Sequence, residues 1–142
     1  MHRLEPAREH VIGLYRIVIG FLFTCHGLKT LFGLFGAKST TAVTAWPAGW
    51  AALIQLVGGT LICVGLASRA AAVIGSGSMA FAFFTVHLPL GLFPIQNGGE
   101  AAVLFCWGLL LIAFVGPGRF ALGNIPVLQR ASEPARARVT AG

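Results

Sequence analysis

Four long apolar runs set the pattern of this chain, separated by short stretches rich in Gly, Pro and Arg. The first runs from about Val11 to Phe35 and is interrupted by Arg16, His26 and Lys29. The second runs from about Trp50 to Ala67 and carries no charge. The third runs from about Ala70 to Leu88, with only His87 near its end. The fourth begins at Glu100 and ends near Val115, before Gly116-Pro117-Gly118. These are continuous runs rather than ten-residue alternating segments, which predicts helices and not strands. In lipid only a helix satisfies its own backbone. The fourth helix would be about 24 Å long at 1.5 Å per residue, so it needs a thinned bilayer or some help from its flanks.

The connections predict an antiparallel arrangement. Ser68-Arg69 leaves almost no loop between the second and third helices, so these form a tight hairpin. Pro89, Pro94 and Gly98-Gly99 break the chain before the fourth. Pro47, flanked by Trp46 and Trp50, lies in the longer connection from Gly36 to Gly49, and tryptophans there suit the headgroup level. Glycines recur at seven-residue spacing, at Gly13, Gly20 and Gly27 and again at Gly58 and Gly65. Such a stripe lets helix backbones approach closely.

Composition narrows the class. The chain has 142 residues, enough for one domain, and is 56% hydrophobic and 10% charged, against about 25% charged in a soluble domain. It has no Asp and four Glu, and its mean hydropathy is +0.83. An ordinary soluble enzyme, a disordered chain and a nucleic-acid-binding module are disfavoured, and an integral membrane protein remains. The net charge of +6 needs no nucleic-acid partner. Arg3, Arg8, Arg69, Arg119, Arg130, Arg136 and Arg138 fall on one side of the predicted membrane, and Lys29 and Lys38 toward the other. The positive-inside rule puts both termini in the cytoplasm. The organisation expected is a cytoplasmic N-terminal segment over 1–10, a four-helix membrane domain over 11–120, and a mobile cytoplasmic tail over 121–142. A cleaved signal is disfavoured, because the first run exceeds a signal core and carries three basic side chains.

Polar groups inside such a protein are the informative ones, because a mid-bilayer charge costs about 2.5–3.5 kcal/mol on insertion scales. Antiparallel spans bring His26, Lys29, His87, Asn97 and Glu100 to one, outer, end. Glu100 is the only acid between Glu9 and Glu133. It serves either as a helix-capping acid or as the counter-ion of Lys29. His26 and His87 are candidate proton carriers, or histidines that only hydrogen-bond within the bundle. A metal site is disfavoured, since no His pair has helical ligand spacing. Arg16 lies about 15 Å from His26 along the axis, where it either snorkels inward or binds an anionic headgroup or a polar cofactor ring. Gln55 is suited to an interhelical hydrogen bond. Trp46, Trp50, Phe32, Phe35 and Phe93 gather toward the outer face, either as interfacial anchors or as walls for a flat ring. Cys25, Cys63 and Cys106 have no disulfide or zinc spacing and read as buried apolar thiols, with Cys25 beside His26 the one placed for redox chemistry.

Arg16 with His26-Gly27-x-Lys29 and Phe32-Gly33 resembles the first helix of the DoxX family. Gln55-Leu56-Val57-Gly58-Gly59-Thr60-Leu61 with Gly65-Leu66-Ala67-Ser68-Arg69 is similar to its second helix and basic turn. Val86-His87-Leu88-Pro89 resembles the end of its third helix. Asn97-Gly98-Gly99-Glu100 and Gly116-Pro117-Gly118-Arg119 look like the borders of its fourth. The resemblance covers about residues 13 to 124. It implies a multi-pass, four-helix protein of the bacterial cell membrane with a redox association, linked in some relatives to quinone-reducing complexes. One departure is Gln55, where the family pattern carries Glu, so a titratable group is missing from the second helix.

Three functions are therefore in view. The first is a quinone-linked redox subunit, with the ring of an isoprenoid quinone near the outer cluster. There His26, Lys29, Glu100 and His87 would carry the chemistry, and Arg16, His26, Lys29 and Asn97 would bind the cofactor. No flavin, haem or iron–sulfur motif is present, so electrons would come from a partner or a small donor. Whether the chain is an enzyme by itself stays open. The second is a non-catalytic assembly subunit that recruits soluble partners on the cytoplasmic side through Arg69, Arg119 and the tail, with self-association as an option. The third is a carrier of small molecules or protons.

Overall fold

The computed structural model describes residues 5–124, so residues 1–4 and most of the expected tail lie outside the described residues. The described residues form helices and no strands. Helix α1 spans Glu5–Phe32, α2 Ala48–Val64, α3 Ser68–Ala82, the short α4 Pro94–Asn97, and α5 Glu100–Val115. A π-helical turn, Phe83–His87, and a 3₁₀ turn, Leu88–Leu90, continue α3. Two of these segments, Ala7–Phe32 and Ser68–Leu90, are long and apolar enough to cross a membrane, while α2 and α5 are shorter apolar helices.

Local sequence accounts for most helix ends. Helix α1 starts at Glu5, six residues before the first apolar run. It stops at Phe32 and not Phe35, because Gly33 adopts φ +70° there. Helix α2 ends on Gly65 in the left-handed conformation (φ 79°), whose N–H bonds back to Leu61 and Ile62. Leu66 and Ala67 complete the turn, and α3 begins at Ser68, which makes the expected tight hairpin. The π turn widens the helix just ahead of Pro89, which has no N–H to give to the carbonyl of Thr85.

Helix α1 packs along α2, α2 against α3, and α3 against α5, with a slighter contact between α5 and α1. The first of these contacts is a backbone approach. A Cβ on Gly20 would lie 2.5 Å from the Cys63 nitrogen, and one on Gly27 would lie 2.6 Å from the Leu56 nitrogen. From Gly20 to Gly27 the partner position on α2 runs backwards, so the two helices are antiparallel. On α2 the glycine that touches α1 is Gly59, where a Cβ would meet the Thr24 nitrogen at 2.6 Å, while a Cβ on the buried Gly58 would make only ordinary contact, 3.9 Å from the Ala71 carbonyl oxygen.

The interior is small and the exterior is large. Ala52, Ala71, Ala72, Ala102 and Ala113 are buried around Phe23, Ile62, Leu109 and Ile112. By contrast Phe114, Leu104, Trp107 and Phe21 point outward, with 77%, 71%, 67% and 58% of their surface exposed. A soluble monomer rarely exposes so much contiguous apolar surface.

Candidate functional site

A cavity of about 350 Å³ opens at the end of the bundle where α1 and α3 finish and α5 begins. Its polar lining is His26 and Thr30 from α1, Gln55 from α2 and His87 from the π turn. Its apolar lining includes Met79, Ala82, Ala102 and Phe105. Small residues make the space, since Ala48, Ala51, Ala52, Ala101 and Gly98 leave room that larger side chains would fill.

His26 is exposed and makes no hydrogen bond among the described residues. Its ring meets Phe105 edge-on, with centroids 5.3 Å apart, and Phe105 in turn packs on Phe23 at 5.2 Å. The imidazole is thus steered by aromatic contact, and both its nitrogens are left for a ligand or water. Gln55 has one weak partner, with Nε2 3.8 Å from the Met79 sulfur. Its carbonyl oxygen and second N–H are unspent.

His87 is held differently. Its Nδ1 lies 3.1 Å from the backbone carbonyl of Asn97. A carbonyl only accepts, so Nδ1 carries the proton and Nε2 of the neutral ring is the basic nitrogen. Asn97 is itself pinned, because it is 6% exposed and donates from Nδ2 to the Gly91 carbonyl at 2.7 Å. Its Oδ1 accepts from the Gly99 N–H at 2.8 Å. Gly99 has to be glycine for this loop to close on the histidine, since a Cβ there would lie 2.7 Å from Asn97 Oδ1 and 3.0 Å from His87 Cβ.

Lys29 and Glu100 are at the same end, but neither lines the cavity and both are exposed. Among the described residues no ion pair joins them. Helix α1 packs mainly on α2 and α5 mainly on α3, with a slighter contact between α1 and α5. Glu100 stands in the first turn of α5, where the helix dipole favours an acid. The aromatic residues Trp46, Trp50, Phe32, Phe35 and Phe93 are all exposed and do not wall this cavity. Among the described residues no group of three His, Cys, Asp or Glu side chains is placed to hold a metal. The three cysteines are free, and Cys106 Sγ lies 3.6 Å from Ser76 Oγ.

Arg16 is at the opposite end and does not snorkel. Its side chain is fully buried (0% exposed). Nε donates to the Pro117 carbonyl at 2.8 Å. Nη1 donates to the carbonyls of Ile62 (2.5 Å) and Cys63 (2.6 Å). Nη2 donates to Phe120 at 3.0 Å and reaches Arg119 at 3.5 Å. All five N–H donors of the guanidinium are directed at backbone carbonyls. Two of these carbonyls are in the last turn of α2, where Ile62 O also accepts from the Gly65 N–H, and three belong to the segment that follows α5. Backbone bonds from Arg119 N to Glu9 O and from Gly123 N to Gly65 O, both 3.0 Å, close the same cap. The arrangement makes Arg16 a tie between three parts of the chain, with no donor left over for a cofactor.

Phe105 and Thr30 also line the cavity, and the sequence pattern alone does not mark either as a site residue. Thr30 was within reach, since it lies four residues after His26 and shares its face. Nothing local distinguishes Phe105 from the other aromatics of an all-apolar helix.

The DoxX family model matches residues 11–88. An uncharacterised protein of Haemophilus influenzae is 36% identical over 129 residues, covering 87% of this chain and 96% of that relative. A Bacillus subtilis protein named "Putative oxidoreductase CatD" is 30% identical over 112 residues, covering 77% of this chain and 81% of that relative. The chain belongs to the DoxX family. No solved structure matches it significantly.

Proposed function

We propose that this protein is a multi-pass, four-span subunit of a bacterial cell membrane that binds an isoprenoid quinone in the His26–His87 cavity and takes part in its oxidation or reduction. The observation that carries the reading is one small cavity lined by two histidines from separate helices and the weakly held amide of Gln55, with an aromatic wall. Its volume of about 350 Å³ lies in the usual range for a small-molecule site, about 300–1,000 Å³. The relative named as an oxidoreductase supports the redox class.

The four-span reading rests on the outward-facing Phe, Leu and Trp side chains and the small-residue interior, which suit lipid contact and close helix approach. Helix α5 falls short of a typical hydrocarbon core, so the bilayer thins beside it. Exposed Arg8, Arg69 and Arg119 at the Arg16 end favour a cytoplasmic position for that end and for both termini. The cavity then faces outward.

When bound, the quinone supplies a ring that takes up or gives back two electrons with two protons. Gln55 is placed to donate to a ring carbonyl. Nε2 of His87 is available to accept a proton, because Asn97 occupies Nδ1. His26 is available to hold a second at the exposed side. Lys29, one turn from His26, adds positive charge at the rim without lining the cavity. In reduction the two electrons come from a partner or a small donor, and in oxidation they pass to a partner that accepts them.

A second reading has its own observation. The exposed arginines at the Arg16 end form a surface suited to acidic soluble partners, as expected of an assembly subunit. The carrier reading has no comparable support, since Phe23, Ile62, Leu109 and Ile112 fill the interior between the cavity and Arg16.

The deciding experiment is mass spectrometry of lipids that co-purify with the intact protein in mild detergent. Stoichiometric quinone in the wild type that is lost in His26→Ala and His87→Ala supports the site. Bulk phospholipid alone, unchanged in the variants, rejects it and favours the assembly subunit.

A further inference from the structure

We infer that the Arg16 end of the bundle carries a second site, built for a phosphate group, at the start of α3. A cavity of about 380 Å³ lies there, lined by Gly65, Ser68, Arg69, Pro117 and Asn124 among others. Helix α3 is 15 residues long and begins without a side-chain cap. The first bond of its opening turn runs from Ala71 N to Ala67 O at 3.1 Å. The N–H groups of Ser68, Arg69 and Ala70 are therefore the orphan donors of the helix start, at its positive end.

The independent observation is Ser68. Its side chain is 4% exposed, and its Oγ is buried with no hydrogen-bond partner among the described residues. Buried polar atoms without a partner are rare in folded proteins and ask for a missing one. Every donor in this wall suits an oxyanion. The Arg69 guanidinium is exposed, makes no hydrogen bond among the described residues, and lies across Gly116, where a Cβ would meet Nη2 at 2.9 Å. Arg16 sits directly behind, with Nη1 2.9 Å from the Cβ position of Gly65, and its charge is met by carbonyls rather than by a carboxylate. None of the described acids lines the cavity. A phosphate offers several acceptor oxygens to this set, and a guanidinium binds it through two parallel bonds.

This chemistry has two sources, the headgroup of an anionic phospholipid and free phosphate. The test uses the full chain in nanodiscs. One arm compares phosphatidylcholine discs with discs containing phosphatidylglycerol. The other adds inorganic phosphate to phosphatidylcholine discs. The readouts are the amide resonances of Ser68, Arg69 and Ala70 and the lipid retained on release into a native mass spectrometer. Shifts with phosphatidylglycerol alone assign a headgroup site, and shifts with inorganic phosphate assign a free-phosphate site. Either supports the inference if Ser68→Ala combined with Arg69→Gln weakens binding about tenfold, as loss of charge-assisted bonds requires, while Arg8→Gln does not. No shift in either arm overturns it. So does equal weakening by Arg8→Gln, which would mean diffuse charge attraction. The melting temperature of each variant separates lost binding from lost folding. The result is independent of whether a quinone occupies the opposite cavity.

Discussion

The guanidinium of Arg16 ends at the carbonyl of Ile62, 46 residues further along the chain, at 2.5 Å. The contact sits in the last turn of α2, where Ile62 O also accepts from the Gly65 N–H and the same guanidinium nitrogen meets the next carbonyl, that of Cys63. A cation there meets the negative end of the helix dipole, and the same side chain fastens the segment after α5. One residue of α1 thereby closes the end of the bundle.

Replacing Arg16 with Ala is expected to destabilise the protein by about 3 kcal/mol or more, since hydrogen bonds to a charged group contribute about 1.5–3 kcal/mol each and the buried carbonyls are left unpaired. Arg16→Lys keeps the charge but offers three donors on one nitrogen, so it falls between. Thermal unfolding in mild detergent orders the three proteins. An Arg16→Ala protein as stable as the wild type would remove the carbonyl cage from the account.

Close packing and open space predict opposite outcomes at two glycines, one in the α1–α2 contact and one in α3. Gly27→Ala drives a Cβ to 2.6 Å from the Leu56 nitrogen, and overpacking of this kind costs about 1–3 kcal/mol. Gly77 lies in α3 with nothing within 4 Å of its Cβ position. Gly77→Ala is expected to stabilise the helix by about 0.5–1 kcal/mol. Melting temperatures that fall for the first and hold or rise for the second are the expected pair.

The His87–Asn97 bond predicts a tautomer. Nitrogen NMR of labelled histidine is expected to show His87 protonated at Nδ1 in its neutral form. In Asn97→Ala the backbone carbonyl remains, but its two side-chain anchors to Gly91 and Gly99 are gone. The His87 signal is then expected to become a mixture of tautomers. An unchanged signal would mean that the loop holds the carbonyl without the side chain.

The cavity lining separates two residues one turn apart. His26 lines the cavity and Lys29 does not. Quinone retention is expected to fall about tenfold in His26→Ala, a loss of about 1.4 kcal/mol. Lys29→Ala is expected to change it by less than about threefold on the same scale. The reverse order would move the ring to the rim of the bundle.

The helices themselves are legible in the sequence, because continuous apolar runs and their Gly and Pro breaks are local features. Helix α5 has both predicted ends, Glu100 and Val115, and the tight hairpin between α2 and α3 forms, although its turn is Gly65-Leu66-Ala67 and Ser68-Arg69 already belong to α3. That His26, His87, Asn97 and Glu100 share one end also follows from antiparallel alternation alone. Which of them meet is a different matter. Helices apolar on nearly every side have no marked inward face, so their rotation is set by where glycines and alanines let backbones touch. That packing paired His87 with Asn97 and brought Phe105 under His26. It kept Lys29 from Glu100, enclosed Arg16 among carbonyls, and left the Ser68 hydroxyl without a partner among the described residues. Charge and hydropathy along a chain record where a helix begins and ends, whereas these contacts depend on rotations that only the assembled bundle decides.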